Sequence, residues 1–489
     1  MHPSALAKRL YILLFLVIVA FYFYGLGMLP LLGPDEPRYA QVAREMFERG
    51  DLITPTLGGH TWFEKPALLY WLMIAAFKMF GVHEWTARLG PALCGVLTIA
   101  AVAYVGRAVE RALEAERSAD KASGFGFCSV LVAASSLGLI VFSRGVSFDV
   151  VITMTVTWAL AFFLVYELDH RRRSTLLAGF YISVGLSVLA KGLVGIVIPF
   201  GVVGCYYVLR REWPRRGVWL SLVWGVPLAV AVSAIWYGPV IARHRWLFID
   251  EFFIQHHFAR YVSNKYHHPQ PIYFYPAIIL LLMLPWSPFL FTALAKLRTW
   301  IWRGADALSV ARVFALAWLG LPIVFFSFSG SKLPGYILPS LPAAAFLIAD
   351  YLVHAKSRWV PGATARLVIF GTTLLFVAAV LIFAAPRVAQ RESVRDLLQL
   401  ADARGYANAP VLAQRTDDRS AQFYAHDRVI YNAEGDVMTF DEVTLEQARA
   451  FGPRILVLIP VQYVDGFRGA ANIEIIGDNG HTALLGWTP

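Results

Sequence analysis

The chain has 489 residues, of which 58% are hydrophobic and only 16% charged, well below the roughly 25% charged residues of soluble domains. Apolar runs recur from end to end, which excludes a soluble secreted or cytosolic protein and fits a polytopic membrane protein. The net charge of +10 is no nucleic-acid footprint: the basic residues sit in short connectors, and no basic, aromatic-interleaved domain is present.

The chain opens with Lys8 and Arg9, then an apolar run from Tyr11 to Leu32. No A-x-A cleavage site follows, so this run is predicted as a first span rather than a signal peptide. Next comes GPDEPRYAQVARE, residues 33–45. Pro37 suits the first turn of a helix, and Asp35 and Glu36 sit where a helix dipole favours negative charge. Tyr39, Val42, Ala43, Met46 and Phe47 follow at helical spacing, and Gly50 is a stop. This predicts an amphipathic helix opening at an acidic pair. Taken alone, such a pair is an ordinary N-cap. In HTWFEKPALLYW, residues 60–71, Glu64 and Lys65 again stand before a proline that opens an apolar stretch. Either they form a cap with a snorkelling lysine, or a cation lies beside a phosphate or carboxylate. The segment Pro66–Phe80 is too short to span and is predicted to lie along the outer membrane boundary.

Further spans are predicted near residues 88–107, 126–144, 149–168, 174–190, 193–210, 218–238, 272–293, 310–328, 336–354 and 364–385, which makes about eleven. Cys94, Cys128 and Cys205 all fall in apolar segments, with no C-x-x-C spacing, and are small core residues. Basic residues fill alternate connectors, from Arg107–Lys121 through Arg171–Arg173, Arg210–Arg216 and Lys296–Arg303 to Lys356–Arg366. This places the N-terminus and those connectors in the cytoplasm. The other connectors hold a second set of polar residues: Asp149 after SRGVSF, Lys191–Gly192, DEFFIQHHFARY at 250–261, and SGSKLPGY at 329–336. His256, His257, His267 and His268 share one connector but lack cysteine partners and the regular spacing of metal ligands. Lys332 beside a Pro-Gly turn reads, by itself, as an interface anchor.

From about residue 392 polar residues return. Ser393–Arg404 and Leu445–Phe451 are predicted helices, and Val411–Ala413, Arg428–Tyr431, Ile455–Ile459 and Ile473–Ile476 are predicted strands. The linear division is a transmembrane domain over 1–388, containing the outer loop 32–87 with its interfacial helices, and a periplasmic α/β domain over 389–489.

Acids (Asp35, Glu36, Glu64, Asp149) and cations (Arg38, Lys65, Arg260, Lys332), with His256, thus all fall on one face, and none lies in mid-span. A transporter places ionisable groups near the midplane and shows repeated halves. The pattern instead suits an enzyme acting on an amphiphile whose charged head meets the outer face.

PDEPRYA, WFEKP with its following YW, KG after the fifth span, the HH-containing loop and SKLPGY, in that order, resemble the lipid-linked-sugar glycosyltransferases of the GT-C superfamily. Within it, the nearest resemblance is to the aminoarabinose lipid A transferases, with protein O-mannosyltransferases more distant. It covers residues 1 to about 390. The resemblance implies a GT-C-like polytopic helical membrane fold with about 11–13 transmembrane helices and a small C-terminal α/β periplasmic domain. It implies an inner-membrane enzyme whose site faces the periplasm. The donor would be an undecaprenyl-phosphate-linked sugar, aminoarabinose or a related amino sugar, and the acceptor lipid A. Transfer to a protein Ser or Thr is the first alternative and lipid or solute transport the second. By the same resemblance, Asp35 is the acid at the reaction centre, with Glu36 beside it and Asp149 across from it. Lys65, Arg260, Lys332 and Tyr336 hold the donor phosphate, with Arg38 and His256 also binding substrate. Glu64 and His256 match a pair that can hold zinc, although the chemistry itself requires no cofactor.

Overall fold

The computed structural model describes residues 5–116, 124–169, 173–259, 270–355, 360–414, 419–432 and 435–489. Parts of the basic connectors, residues 117–123, 170–172 and 356–359, lie outside the described residues. The chain forms two compact units: Met1–Tyr24, Phe63–Leu69 and Gly90–Phe376 make the first, and Gly25–Trp62, Tyr70–Leu89 and Val377–Pro489 the second. The linear boundary at residue 388 is therefore not where the contacts divide. Most of the first outer loop belongs with the C-terminal residues, because the buried stripe of its helix packs there rather than standing in the helical body.

The first unit is helical, and every predicted span contains helix, the first ending at Phe23. Among the described residues seven helices are long and apolar enough to cross a membrane: Glu84–Ala115, Phe148–Leu168, Arg173–Lys191, Arg216–His256, Ala307–Ser327, Pro334–His354 and Ala363–Arg391. Phe125–Ala134 and Leu137–Ser143 meet at a 56° bend and make an eighth if taken together. The other predicted spans are shorter. Tyr11–Phe23 and Val194–Arg210 fall below the full crossing length, and residues 272–293 resolve into Phe274–Leu282 and Ser287–Ala295. Pro285 and Pro288 explain that break, since proline removes an N–H and clashes with the preceding turn. The helix Arg216–Phe248 buries only a narrow set that includes Trp236, Tyr237 and Phe248, and exposes Trp219, Val223, Val230 and Ile235. Apolar groups outside and a satisfied backbone inside are what a lipid solvent demands. Near its end Arg245 adopts φ 52°, and the chain continues as a wide π-helical stretch, Ile249–Ala259.

In the second unit the predicted amphipathic helix spans Asp35–Arg49 and ends at Gly50, whose φ of 66° lets its N–H cap Met46 and Phe47 carbonyls. Tyr39, Val42, Ala43 and Met46 are buried, as the spacing predicts. Glu45 pins the following hairpin, accepting from Thr56 Oγ1 at 2.7 Å and Gly58 N at 2.7 Å. That hairpin pairs β1 (Thr56–Leu57) with β2 (His60–Thr61). Its two-residue Gly58–Gly59 turn has φ of 59° and 82°, a conformation only glycine adopts without strain. Leu68–Phe80 is a 13-residue helix, too short to span, as its length in the sequence predicts.

The C-terminal sheet runs β3 (Val411–Ala413), β4 (Ile455–Pro460), β6 (Thr482–Trp487), β5 (Ile473–Asp478), with β3–β4 parallel and the rest antiparallel. Leu456, Leu458 and Leu484 pack on one face against Leu397, Leu398 and Tyr406, while Ile455, Val457, Ile459 and Leu485 pack on the other. Both faces are covered, so β4 reads as a continuous apolar run. Two expectations change. Arg428–Tyr431 makes only isolated bridges, Val411 with Val429 and Tyr431 with Val437. The strand β6 was not foreseen, because Ala, Leu and Gly carry little β-propensity and long-range pairing fixes it. The predicted helix Ser393–Arg404 is Arg395–Ala401, continued by a turn that Gly405 breaks at φ 85°.

Arg88 organises the entry to this unit. It is 4% exposed and donates to the carbonyls of Leu26 at 2.8 Å, Leu29 at 2.7 Å and Pro30 at 2.7 Å. It also pairs with Glu36 at 2.7 Å. Arg88→Met leaves that carboxylate buried without its partner and is expected to destabilise the chain by about 3–5 kcal/mol, read as a fall in the denaturation midpoint in detergent. Glu48 offers a pH test. It accepts from Arg44 at 2.9 Å and from His426 at 3.0 Å. Burial pushes its carboxyl pKa up, but these hydrogen bonds and charges outweigh burial and hold it below the ordinary value. A depressed carboxylate stabilises above its unfolded pKa, and that stability is lost as pH falls through the folded pKa. Glu48→Gln is therefore expected to unfold more easily than the parent at neutral pH and to match it in acid, measured as midpoint against pH.

Candidate functional site

In the first unit three elements converge. The helix Phe148–Leu168 is capped by Ser147, whose side chain accepts from the Asp149 N–H at 3.1 Å. Asp149 thereby stands in the first turn, as predicted. Lys191 is the last residue of Arg173–Lys191, and Gly192 leaves that helix at φ 69°. The turn Pro334–Ser340 brings Gly335 and Tyr336. Lys191 Nζ bonds to the Asp149 carboxylate, and the ammonium lies 4.4 Å from the centroid of the Tyr336 ring. The side chains of Lys191 and Asp149 are only 16% and 17% exposed, so their attraction is little screened by water, and the ring adds a cation–π contact. Position 335 is crowded: a Cβ would overlap the Asp149 carboxylate and come within 2.7 Å of the Phe142 ring, so one of them would have to move. Tyr336 also packs on Phe326, with ring centroids 5.1 Å apart.

The same unit holds further polar groups. Lys332 is 8% exposed and donates to the Gln270 carbonyl at 2.9 Å. Ser331 Oγ is buried without a hydrogen-bond partner among the described residues. Glu64 and Lys65 pair with each other at 2.6 Å, with side chains 9% and 13% exposed. His256 is half-buried on the π-helical stretch. Arg260, His267 and His268 lie outside the described residues.

In the second unit the two acids of PDEPRYA separate in role. Asp35 has a side chain 51% exposed and pairs with Arg38 at 2.6 Å, while the Arg38 guanidinium stacks 5.1 Å from the Trp62 ring. Glu36 accepts from Leu32 N at 2.8 Å and from Arg88. Glu36 thus holds the preceding turn and neutralises a buried arginine. Pro34, the residue before the helix, offers no side-chain cap, and neither acid caps a first-turn N–H; Glu36 instead reaches back to Leu32 N.

Arg88 and Gly335 stand outside the set of site residues that the sequence marks, and Lys191 is marked there only through the KG motif. Arg88 had a signal, an arginine near the start of an apolar helix; Gly335 showed only as part of a Pro-Gly turn. Among the described residues one group of three metal-capable ligands converges, Glu48, His426 and Asp427. Its ion pairs with Arg44 and within the cluster already account for it.

These features define a multi-pass helical membrane protein with a desolvated ionic site and a small mixed-sheet domain. Residues 8–299 match the dolichyl-phosphate-mannose-protein mannosyltransferase family, and the chain belongs to it. It is 31% identical over 348 residues to the undecaprenyl phosphate-alpha-4-amino-4-deoxy-L-arabinose arabinosyl transferase of Edwardsiella ictaluri, covering 69% of this chain and 59% of that protein. It is 30% identical over 409 residues to the protein of the same name from Aeromonas hydrophila, covering 79% and 68%. The chain thus spans roughly three fifths to two thirds of the length of such relatives. The crystal structure of ArnT from Cupriavidus metallidurans bound to undecaprenyl phosphate superimposes with a TM-score of 0.78 at 21% identity, over 98% of both chains. That likeness shows a shared fold.

Gly335→Ala is expected to part Asp149 from Lys191 at a cost of about 1–3 kcal/mol. Peptide mapping after treatment with an amine-directed reagent should then find Lys191 labelled faster than in the parent.

Proposed function

We propose that this chain is a glycosyltransferase of the bacterial inner membrane. It moves 4-amino-4-deoxy-L-arabinose or a close relative from undecaprenyl phosphate to lipid A at the periplasmic face. The observation that carries this reading is the shared name of its relatives, which specifies that sugar on that lipid phosphate. The desolvated cations support it. In the transfer the bond from the sugar's anomeric carbon to the phosphate oxygen breaks, and the electron pair leaves with the polyprenyl phosphate. Cations fixed in advance, in surroundings of low dielectric, stabilise that developing charge. Lys191, held by Asp149, and Lys65, held by Glu64, are groups of this kind, and Lys332 and the Ser331 hydroxyl are further donors. Arg260, four residues after His256 in the sequence, is proposed to join them. The new bond forms between the anomeric carbon and an acceptor oxygen. If that oxygen is a hydroxyl, the exposed Asp35 carboxylate takes its proton. If it is a lipid A phosphate, no proton needs removing, and Asp35 balances the positive charge building on the sugar.

The zinc pair remains part of the proposal only as a binding feature. Glu64 and His256 supply two ligands where zinc ordinarily takes four positions, and Glu64 already holds Lys65. No step of the transfer is routed through a metal.

The family's description gives the second reading, mannosyl transfer to protein. Lipid A and total protein from cells expressing the chain should be weighed by mass spectrometry. The first reading expects one added amino-sugar mass on lipid A and unmodified protein; hexose on Ser or Thr with unaltered lipid A would replace it with the second. Asp35→Asn is expected to lower transfer by about 10²–10⁴-fold at parental expression. Normal transfer by that variant would remove Asp35 from the reaction.

A further inference from the structure

A cavity of ≈ 490 Å³ opens in the first unit, away from the ionic site. It is lined by the late turns of Phe148–Leu168, the early turns of Arg173–Lys191, the last turns of Val194–Arg210 and the first turns of Arg216–Phe248. Asp149 opens the first of these helices and Lys191 closes the second. The cavity therefore lies at the opposite ends of the helices, toward the connector with four arginines at 210, 211, 215 and 216. Its size is that of a small-molecule or lipid-chain site.

Its walls are hydrocarbon and aromatic, with Phe180, Phe200 and Tyr207 among them. Trp213, 86% exposed, and Trp219, 51% exposed, stand at its edge, as tryptophans do at the level of lipid headgroups. The charged side chains that line its mouth are Arg211 and Glu212, and Glu167 stands behind the wall, accepting from the Tyr207 hydroxyl at 3.0 Å. Both Glu212 carboxylate oxygens are taken by Arg210, at 3.0 and 2.9 Å, and Arg210 further donates to the Gly304 carbonyl at 3.0 Å. This leaves Arg211, which lines the cavity in a left-handed cap conformation at φ 54° and has no ion-pair partner among the described residues. Arg215 and Arg216 follow it, both exposed.

We propose that this cavity binds one anionic diacyl phospholipid, with an acyl chain against the aromatic wall and the phosphate at Arg211. The lipid belongs to the leaflet away from Asp149 and Lys191, so it is neither donor nor acceptor in the transfer. The site depends only on the chain crossing a membrane, and it stands or falls independently of the proposed sugar chemistry. A basic mouth on an apolar pocket favours an anionic head over a zwitterionic one, by roughly fivefold for one arginine near the phosphate.

Gly204 supplies the steric test, because it lines the cavity and a Cβ there would meet nothing within 4 Å. A large side chain at 204 fills the space without forcing the helix. The full chain, purified in detergent, is exchanged into equal amounts of phosphatidylglycerol and phosphatidylcholine with identical chains and weighed by native mass spectrometry. The expected result is one retained lipid, with phosphatidylglycerol favoured roughly fivefold. Gly204→Phe should lose most of that occupancy. Arg211→Glu should keep a bound lipid but lose the headgroup preference. A matching thermal midpoint for each variant confirms its fold. Equal retention of the two lipids by the parent would overturn the proposal, as would undecaprenyl phosphate displacing phosphatidylglycerol from the parent, or parental occupancy in Gly204→Phe.

Discussion

A charge removed from water must meet an opposite charge or a full set of hydrogen bonds, because otherwise its desolvation costs several kcal/mol. In a chain where only 16% of residues are charged, that constraint decides where helix ends and turns go. Asp149 and Lys191 satisfy each other and so fix the start of one helix against the end of another, with Tyr336 closing over the ammonium. At the far end of the same body Arg312 grips Asp350 through two hydrogen bonds of 2.8 and 3.0 Å, joining Ala307–Ser327 to Leu341–His354. The helices between them carry plain apolar surfaces, and the pairs set their register. The ionic site is therefore also a structural joint, and its geometry is held by the same contacts that hold the fold.

The second unit is assembled by the same rule over long distances in sequence. Tyr424 accepts from Leu31 N at 2.7 Å, and His426 reaches Glu48. Gly58 leaves room for the ring of Tyr431. The helix opened by Asp35 and Glu36 is thus seated on residues almost four hundred positions later, which explains why the early loop and the tail form one compact unit. Asp35 keeps its exposure because Glu36 has taken over the holding of the preceding turn and the neutralising of Arg88. Two neighbouring carboxylates of like chemistry are separated by which one the fold needs.

Much of the helical body was legible in the sequence. Apolar runs bounded by arginines gave every span, and the stripe Tyr39–Val42–Ala43–Met46 with Gly50 gave the amphipathic helix and its stop. Asp149 at the head of its helix was legible too, from a polar group at the edge of an apolar run. Other features were not. Continuous hydrophobicity does not reveal a break, so residues 272–293 read as one span although two prolines divide them. A strand made of Thr, Ala, Leu, Leu, Gly and Trp has no local preference strong enough to declare itself, and β6 exists because β4 and β5 flank it. The pairing of Glu36 with Arg88 joins positions 52 apart, beyond the reach of any periodic pattern.

The sequence by itself determined that this protein crosses a membrane, where its helices run and which few charged residues escape the apolar background. These follow from local hydrophobicity and spacing, which need no partner to be read. Only the tertiary structure decided which charges meet, which acid remains exposed, how crowded position 335 is and where an aromatic cavity opens beside Arg211. Those outcomes depend on distances between residues far apart in the chain, and such distances exist only once the helices have packed.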